Sequence, residues 1–148
     1  MLDLENILEM WKKDSSIDEN NLDDASIQSA RLHSKYLEIL SVHKMILKKR
    51  ESKYSILVKN KFLWYNGKLS KSEMDNFGWD YDPLNGLRVM KGDMDKFYDS
   101  DTDLIEAKYN IDELKITIET LNEIMGNVRF RGNNIKNIIE WRKFTSGA

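Results

Sequence analysis

Cysteine is absent from this 148-residue chain, and proline occurs once, at Pro83. Without cysteine there is no disulfide framework, no thiolate metal site and no thiol nucleophile. With one proline and four of the seven glycines gathered between Gly67 and Gly92, long stretches on either side have nothing to interrupt a helix. Also missing is any apolar run near the roughly 18 residues that span a bilayer. Asp3, Glu5 and Glu9 break the only apolar stretch near the start, so no signal peptide is expected. These absences lead to an expectation of a cytosolic protein with no membrane association.

What is present is a strongly blocked charge pattern within a net charge of −2. Residues 1–30 carry eight acids and only Lys12 and Lys13 as bases. From Arg31 to Lys61 the balance reverses. Arg31, Lys35, Lys44, Lys48, Lys49, Arg50, Lys53, Lys59 and Lys61 stand against Glu38 and Glu51. Acids again outnumber bases between Leu69 and Asn127, fourteen to six, and the stretch from Val128 on is basic. A concentrated basic block ending in aromatics (Phe62, Trp64, Tyr65) suits a polyanion-binding surface. Alternating blocks suit head-to-tail self-association equally well.

The periodicity predicts an all-α protein of long helices with heptad-like seams. Leu4, Ile7, Leu8 and Trp11 share one face of a short helix over Leu2–Lys13. A long helix follows from about Leu22 to Asn66. Its seam steps by threes and fours through Leu32, Tyr36, Ile39, His43, Ile46, Arg50, Tyr54, Leu57, Lys61 and Trp64. Such a helix measures roughly 65 Å at 1.5 Å per residue, which favours an extended or bundled protomer that oligomerises. Gly67 is placed to cap it. A second seam runs through Leu104, Ala107, Ile111, Leu114, Ile118, Leu121, Met125, Val128, Gly132, Ile135 and Ile139. Within it Ile111, Leu114, Ile118, Leu121, Met125, Ile135 and Ile139 are the candidate oligomerisation residues. Each glycine in it costs about 1 kcal/mol of helix propensity, so a bend or break is expected near Gly126 or Gly132. Small residues there would also permit close approach of a partner. Three regions result: a helical 1–67 with the basic helix, an acidic and aromatic loop region 68–102, and a helical 103–148. A short hairpin around Gly86–Met90 is the one β element the pattern allows.

Nothing resembles an active site. Asp99, Asp101 and Asp103 begin like a calcium loop, but Leu104 and Asn110 occupy the positions that need Gly and Glu. Helix N-capping is the better reading. Gly67-Lys68 lacks the upstream glycine and the following Ser or Thr of a phosphate-binding loop. His33 and His43 are about 80° apart on a helix and have no carboxylate pair beside them. No nucleophile–base arrangement is visible, so neither enzyme activity nor a cofactor is expected.

The run Leu57-Val58-Lys59-Asn60-Lys61-Phe62, followed by Trp64-Tyr65-Asn66-Gly67, resembles the signature segment of the UvsY family of recombination mediators from T-even-like phages. Lys59 and Lys61 match the two bases of that segment, Leu-Lys-Ala-Arg-Leu. Lys61 replaces its Arg, keeping the charge and losing the bidentate fork. Trp11-Lys12-Lys13-Asp14 with Ile17-Asp18 is similar to the family's opening, and Ser34-Lys35-Tyr36-Leu37 to its Ser-Lys-aromatic-Leu. Arg131-Gly132, Ile135-Lys136, Ile138, Arg142, Phe144 and Gly147 follow its C-terminal order. The resemblance covers nearly the whole chain and is weakest over 69–100.

The resemblance implies a non-enzymatic protein of the infected bacterial cytoplasm that binds single-stranded DNA. It implies a homo-oligomeric ring, a hexamer or heptamer. It further implies help to a RecA-like phage recombinase in replacing the phage single-strand-binding protein. Lys59 and Lys61 are the first candidates for phosphate contact, and Lys48, Lys49, Arg50 and Lys53 the second. The competing reading is a structural coiled-coil adaptor with incidental positive charge.

Overall fold

The computed structural model describes residues 1–147 as five helices in the order α1 (Leu4–Asp14), α2 (Leu22–Tyr65), α3 (Lys71–Phe77), α4 (Met94–Ser100) and α5 (Thr102–Thr145). No strand occurs among the described residues, so the fold is all-α. The hairpin allowed around Gly86–Met90 is not formed. Residues 83–86 make a turn and 87–90 are irregular with no pairing partner. Leu87 and Met90 are largely exposed, so no buried face holds this stretch in a sheet. Among the described residues no helix is long and apolar enough to cross a membrane.

The chain divides into two compact units, one of residues 1–46 with those from Leu114 on, the other of Leu47–Glu113. In the first unit α1 begins at Asp3, whose carboxylate accepts the Asn6 N–H at 2.8 Å. Its apolar face buries Ile7 completely and places Trp11 edge-on to Tyr36 of α2, with ring centroids 5.4 Å apart. His43 is buried, its two ring nitrogens 2.7 and 2.8 Å from the carbonyl oxygens of Ile39 and Leu2. That gives it a packing role. The core is completed by Leu32, Tyr36 and Leu40 from α2 and by Leu114, Ile118, Leu121, Ile124, Met125, Val128 and Ile135 from α5.

Arg131 of α5 secures the α1–α2 connection. Its guanidinium donates to the carbonyls of Asp14 (3.3 Å), Ser15 (3.1 Å) and Ser16 (2.9 Å). The Asp14 carboxylate meanwhile accepts from Tyr36 (2.9 Å) and pairs with Lys35 (2.6 Å). Burial, then the hydrogen bond and charge of Asp14, push the Tyr36 phenol above its usual range. A short polar linker is thereby pinned by two charged side chains.

In the second unit the register of the two long helices is antiparallel. Arg50 donates to the Asn110 carbonyl at 3.1 Å, and Lys61, further along α2, meets Asp103, nearer the start of α5. Helix α2 ends as its sequence predicts, one residue short of Asn66. Gly67 adopts φ 68°, the Lys68 N–H reaches Leu63 O at 2.8 Å, and the Gly67 N–H reaches Trp64 O. Asp101 caps α5, its carboxylate accepting the Leu104 N–H at 3.0 Å.

One expectation about α5, a break at a glycine, is not met. It is helical through both Gly126 and Gly132, with no break. Within the single chain a Cβ at either glycine would meet nothing within 4 Å. The helix carries their propensity cost because Ile124, Met125, Val128, Arg131 and Ile135 around them are buried.

Candidate nucleic-acid interface

Six basic residues were expected to meet DNA, and the structure divides them by helix face. Lys48, Lys49, Lys53 and Lys59 are exposed on α2. At about 100° per residue, Lys48 and Lys59 project within roughly 20° of each other, with Ser55 between them. They are separated by about 16 Å along the axis. Arg50 is half-buried and committed to the Asn110 carbonyl. Arg50, Lys53, Tyr54 and Leu57 of α2 line a groove of about 230 Å³ whose other wall is Ala107 and Asn110 of α5. Lys49 and Lys53 project about 100° and 140° around the helix from Lys48, so the exposed cations form two strips, and Lys53 borders the groove that holds Arg50 and Tyr54.

Lys61 departs from the expectation of phosphate contact. Its side chain is 3% exposed, and its ammonium is 2.7 Å from Asp103 and 3.1 Å from Asp101. The indole rings of Trp79 and Trp64 close over it, at 4.0 and 4.4 Å from their centroids. All directions around the ammonium are thus taken by carboxylates or ring faces. The seam that places Lys61 inward is the one read from the sequence. What the sequence did not disclose is the pair of acids 40 and 42 residues away that makes an inward lysine tolerable. Their signal was the Asp-rich stretch before α5, legible as a cap but not as a counter-charge.

Asp101 is the hub of that cluster. Besides Lys61 and the Leu104 N–H it accepts the Tyr65 hydroxyl at 2.6 Å. Burial alone would raise its carboxyl. The Tyr65 and Leu104 hydrogen bonds, together with the Lys61 ammonium, outweigh burial and hold it below the usual carboxylate range. Tyr65 is displaced the other way, its phenol pushed up first by burial and then by Asp101 and Asp103. The start of α5 also favours negative charge through its helix dipole. The cluster fastens the end of α2 to the beginning of α5.

The candidate oligomerisation seam is likewise redistributed. Ile111, Leu114, Ile118, Leu121, Met125 and Ile135 are all below 9% exposure within the single chain. Their apolar surface is consumed by the protomer's own core. Ile139 emerges at 38%, and Phe130, Trp141 and Phe144 are more exposed still. These three aromatics fall within about 60° of one another on the helix, with Trp141 stacked on Phe144 at 5.8 Å. Exposed aromatics grouped this way on a terminal helix were not singled out by the heptad, which follows a different stripe.

The fold and this face together define an all-α protein built on two 44-residue helices, one presenting two strips of exposed lysines. Over residues 10–148 the chain matches the UvsY family, described as recombination, repair and ssDNA binding protein UvsY, and it belongs to that family. It is 25% identical over 144 residues to the recombination protein uvsY of Enterobacteria phage T4, covering 97% of this chain and 98% of that one. Its fold is similar to crystal structures of the bacteriophage T4 recombination mediator protein UvsY. In one lattice form the TM-score is 0.84 at 23% identity, with 99% of each chain covered. In a second it is 0.82 at 23% identity, covering 97% of this chain and 99% of the other.

Proposed function

We propose that this protein binds single-stranded DNA along the exposed face of α2 and acts as a recombination mediator. In that role it favours loading of a RecA-like recombinase where single-strand-binding protein would otherwise hold the strand. Lys48 and Lys59 are its leading phosphate contacts, with Lys49 and Lys53 on a neighbouring strip and Arg50 at the groove. Lys61 holds the helix end in place from behind. The observation that carries this reading is the group of exposed lysines on α2 in a chain of net charge −2, within a family described by single-strand binding. Charge concentrated on one helix face attracts a polyanion despite the overall negative charge.

Two strips of two lysines, Lys48 with Lys59 and Lys49 with Lys53, give few phosphate contacts, so useful affinity requires repetition around a homo-oligomer. The exposed Phe130, Trp141 and Phe144, which share one face of α5, are the surface proposed for that assembly, a hexameric or heptameric ring. Replacing Trp141 and Phe144 with Glu is expected to yield a slowly sedimenting species that stays helical and binds a long strand more weakly. Unchanged sedimentation would remove this surface from consideration.

The DNA face is tested by titrating salt against binding of a fluorescent single strand. Each phosphate contact contributes about 0.7 to the log–log slope for a single strand, so Lys48→Ala with Lys59→Ala should lower the slope by about 1.4 per site engaged. A double variant with the parent's affinity and slope would refute the assignment. Loss of all parent binding near physiological salt would favour the coiled-coil adaptor.

A further inference from the structure

A cavity of about 460 Å³ opens beside the end of α2, within the second unit. It lies outside the lysine strips. Trp64, Tyr65 and Tyr81 contribute aromatic surface to its lining, Leu84 and Val89 contribute aliphatic surface, and Lys68 and Arg88 contribute positive charge. Its volume is within the range of small-molecule sites.

The cavity is held open by specific bonds. The Trp64 indole N–H donates to the Asp80 carbonyl at 2.7 Å, tying the loop after α3 to the helix end. The loop then turns through Asn85 and Gly86, both in the left-handed region with φ 52° and 79°. Asp82, the acid in the wall, accepts the Gly86 N–H at 3.0 Å and so serves the loop's own backbone. The two cations are exposed, whereas Trp64 and Tyr65 are half-buried and fixed by neighbouring rings.

A path leads from the Lys48–Lys59 strip to this cavity. Phe62 is one turn beyond Lys59, about 60° around the helix, and is 40% exposed. The Lys68 ammonium lies 5.9 Å from the Phe62 ring centroid, and Lys68 itself lines the cavity. Cation, aromatic ring, cation and aromatic cavity therefore follow in order over one surface. Such a sequence suits a chain of alternating phosphates and flat bases.

We infer that this cavity receives one unstacked nucleobase of the bound strand, with Lys68 and Arg88 holding the adjoining phosphates. The inference rests on the single-strand reading above and adds to it a base-dependent contact. Backbone attraction along Lys48–Lys59 is indifferent to whether bases are present. Stacking in the cavity is not.

The test compares a thymine-containing strand with a strand of abasic sites of equal length and charge. The parent should bind the thymine strand on the order of tenfold more tightly, the size of one or two stacked bases lost. Tyr81→Ala with Arg88→Ala, both exposed positions, should remove most of that preference while retaining the melting temperature. Equal loss on both strands, or no loss on either, overturns the cavity. Photocrosslinking a 5-iododeoxyuridine strand to the unaltered protein gives the same answer without a variant. Adducts on Trp64, Tyr65 or Tyr81 are expected, and adducts only elsewhere contradict it. If the parent binds neither strand, the single-strand reading fails as well. If the Lys48/Lys59 variant loses binding but the parent shows no base preference, only the cavity fails.

Discussion

Lys59 and Lys61 are two residues apart on one helix and occupy opposite environments. Lys59 is exposed on the outer face of α2, while Lys61 is enclosed by Asp101, Asp103, Trp64 and Trp79. The cause is helical geometry, since a separation of two residues rotates a side chain by about 200°. Once the seam of α2 is committed to packing, only one of the two can face solvent. A pair of bases separated by one residue on a helix is here one solvent-facing cation and one internal anchor. Substituting both together confuses binding with folding.

The largest effect expected from this contrast is on stability. Lys61→Ala leaves two carboxylates facing each other without their cation, one of them 3% exposed. Breaking a buried pair by removing one partner costs about 3–5 kcal/mol. Urea unfolding should show that loss, with Lys61→Met suffering less because it keeps the packing against the indoles. A Lys61→Ala variant as stable as the parent would mean that the cluster does not hold the helix end.

A much smaller effect is expected at the glycines, where the two ends of α5 differ. The buried charges near its start fix its position, whereas Gly132 is exposed and a Cβ there meets open space. Gly132→Ala should raise stability by about 1 kcal/mol through helix propensity. That corresponds to roughly 2–4 °C in melting temperature. A decrease would indicate that Gly132 is covered in the assembled protein.

Much of the fold was legible because it depends on local periodicity. The span of α2, its Gly67 cap and its seam follow from threes and fours in the sequence, as does the inward direction of Lys61. The seam of α5 was equally visible, but not what covers it. A heptad buried by its own chain looks the same as one buried by another, and here Leu114, Ile118, Leu121 and Met125 are buried within the protomer. The expected break at Gly126 or Gly132 failed because propensity is a weak term against that burial. The pairing of Lys61 with Asp101 and Asp103 was illegible for a further reason. Their separation of 40 and 42 residues is set by how α3, α4 and their loops fold, and no periodicity encodes it. The same applies to the cavity around Tyr81 and Arg88, assembled by the irregular segment where the sequence pattern is weakest.

The division of labour between the two lysines is tested most directly by measuring melting temperature and the salt slope of single-strand binding on Lys59→Ala and Lys61→Met side by side. Lys59→Ala should keep the parent's melting temperature and lower the slope by about 0.7 per site engaged. Lys61→Met should melt earlier and keep the parent's slope at temperatures where it is folded. The opposite pattern, a stability loss in Lys59→Ala with an unchanged slope and a shallower slope in fully folded Lys61→Met, would contradict it.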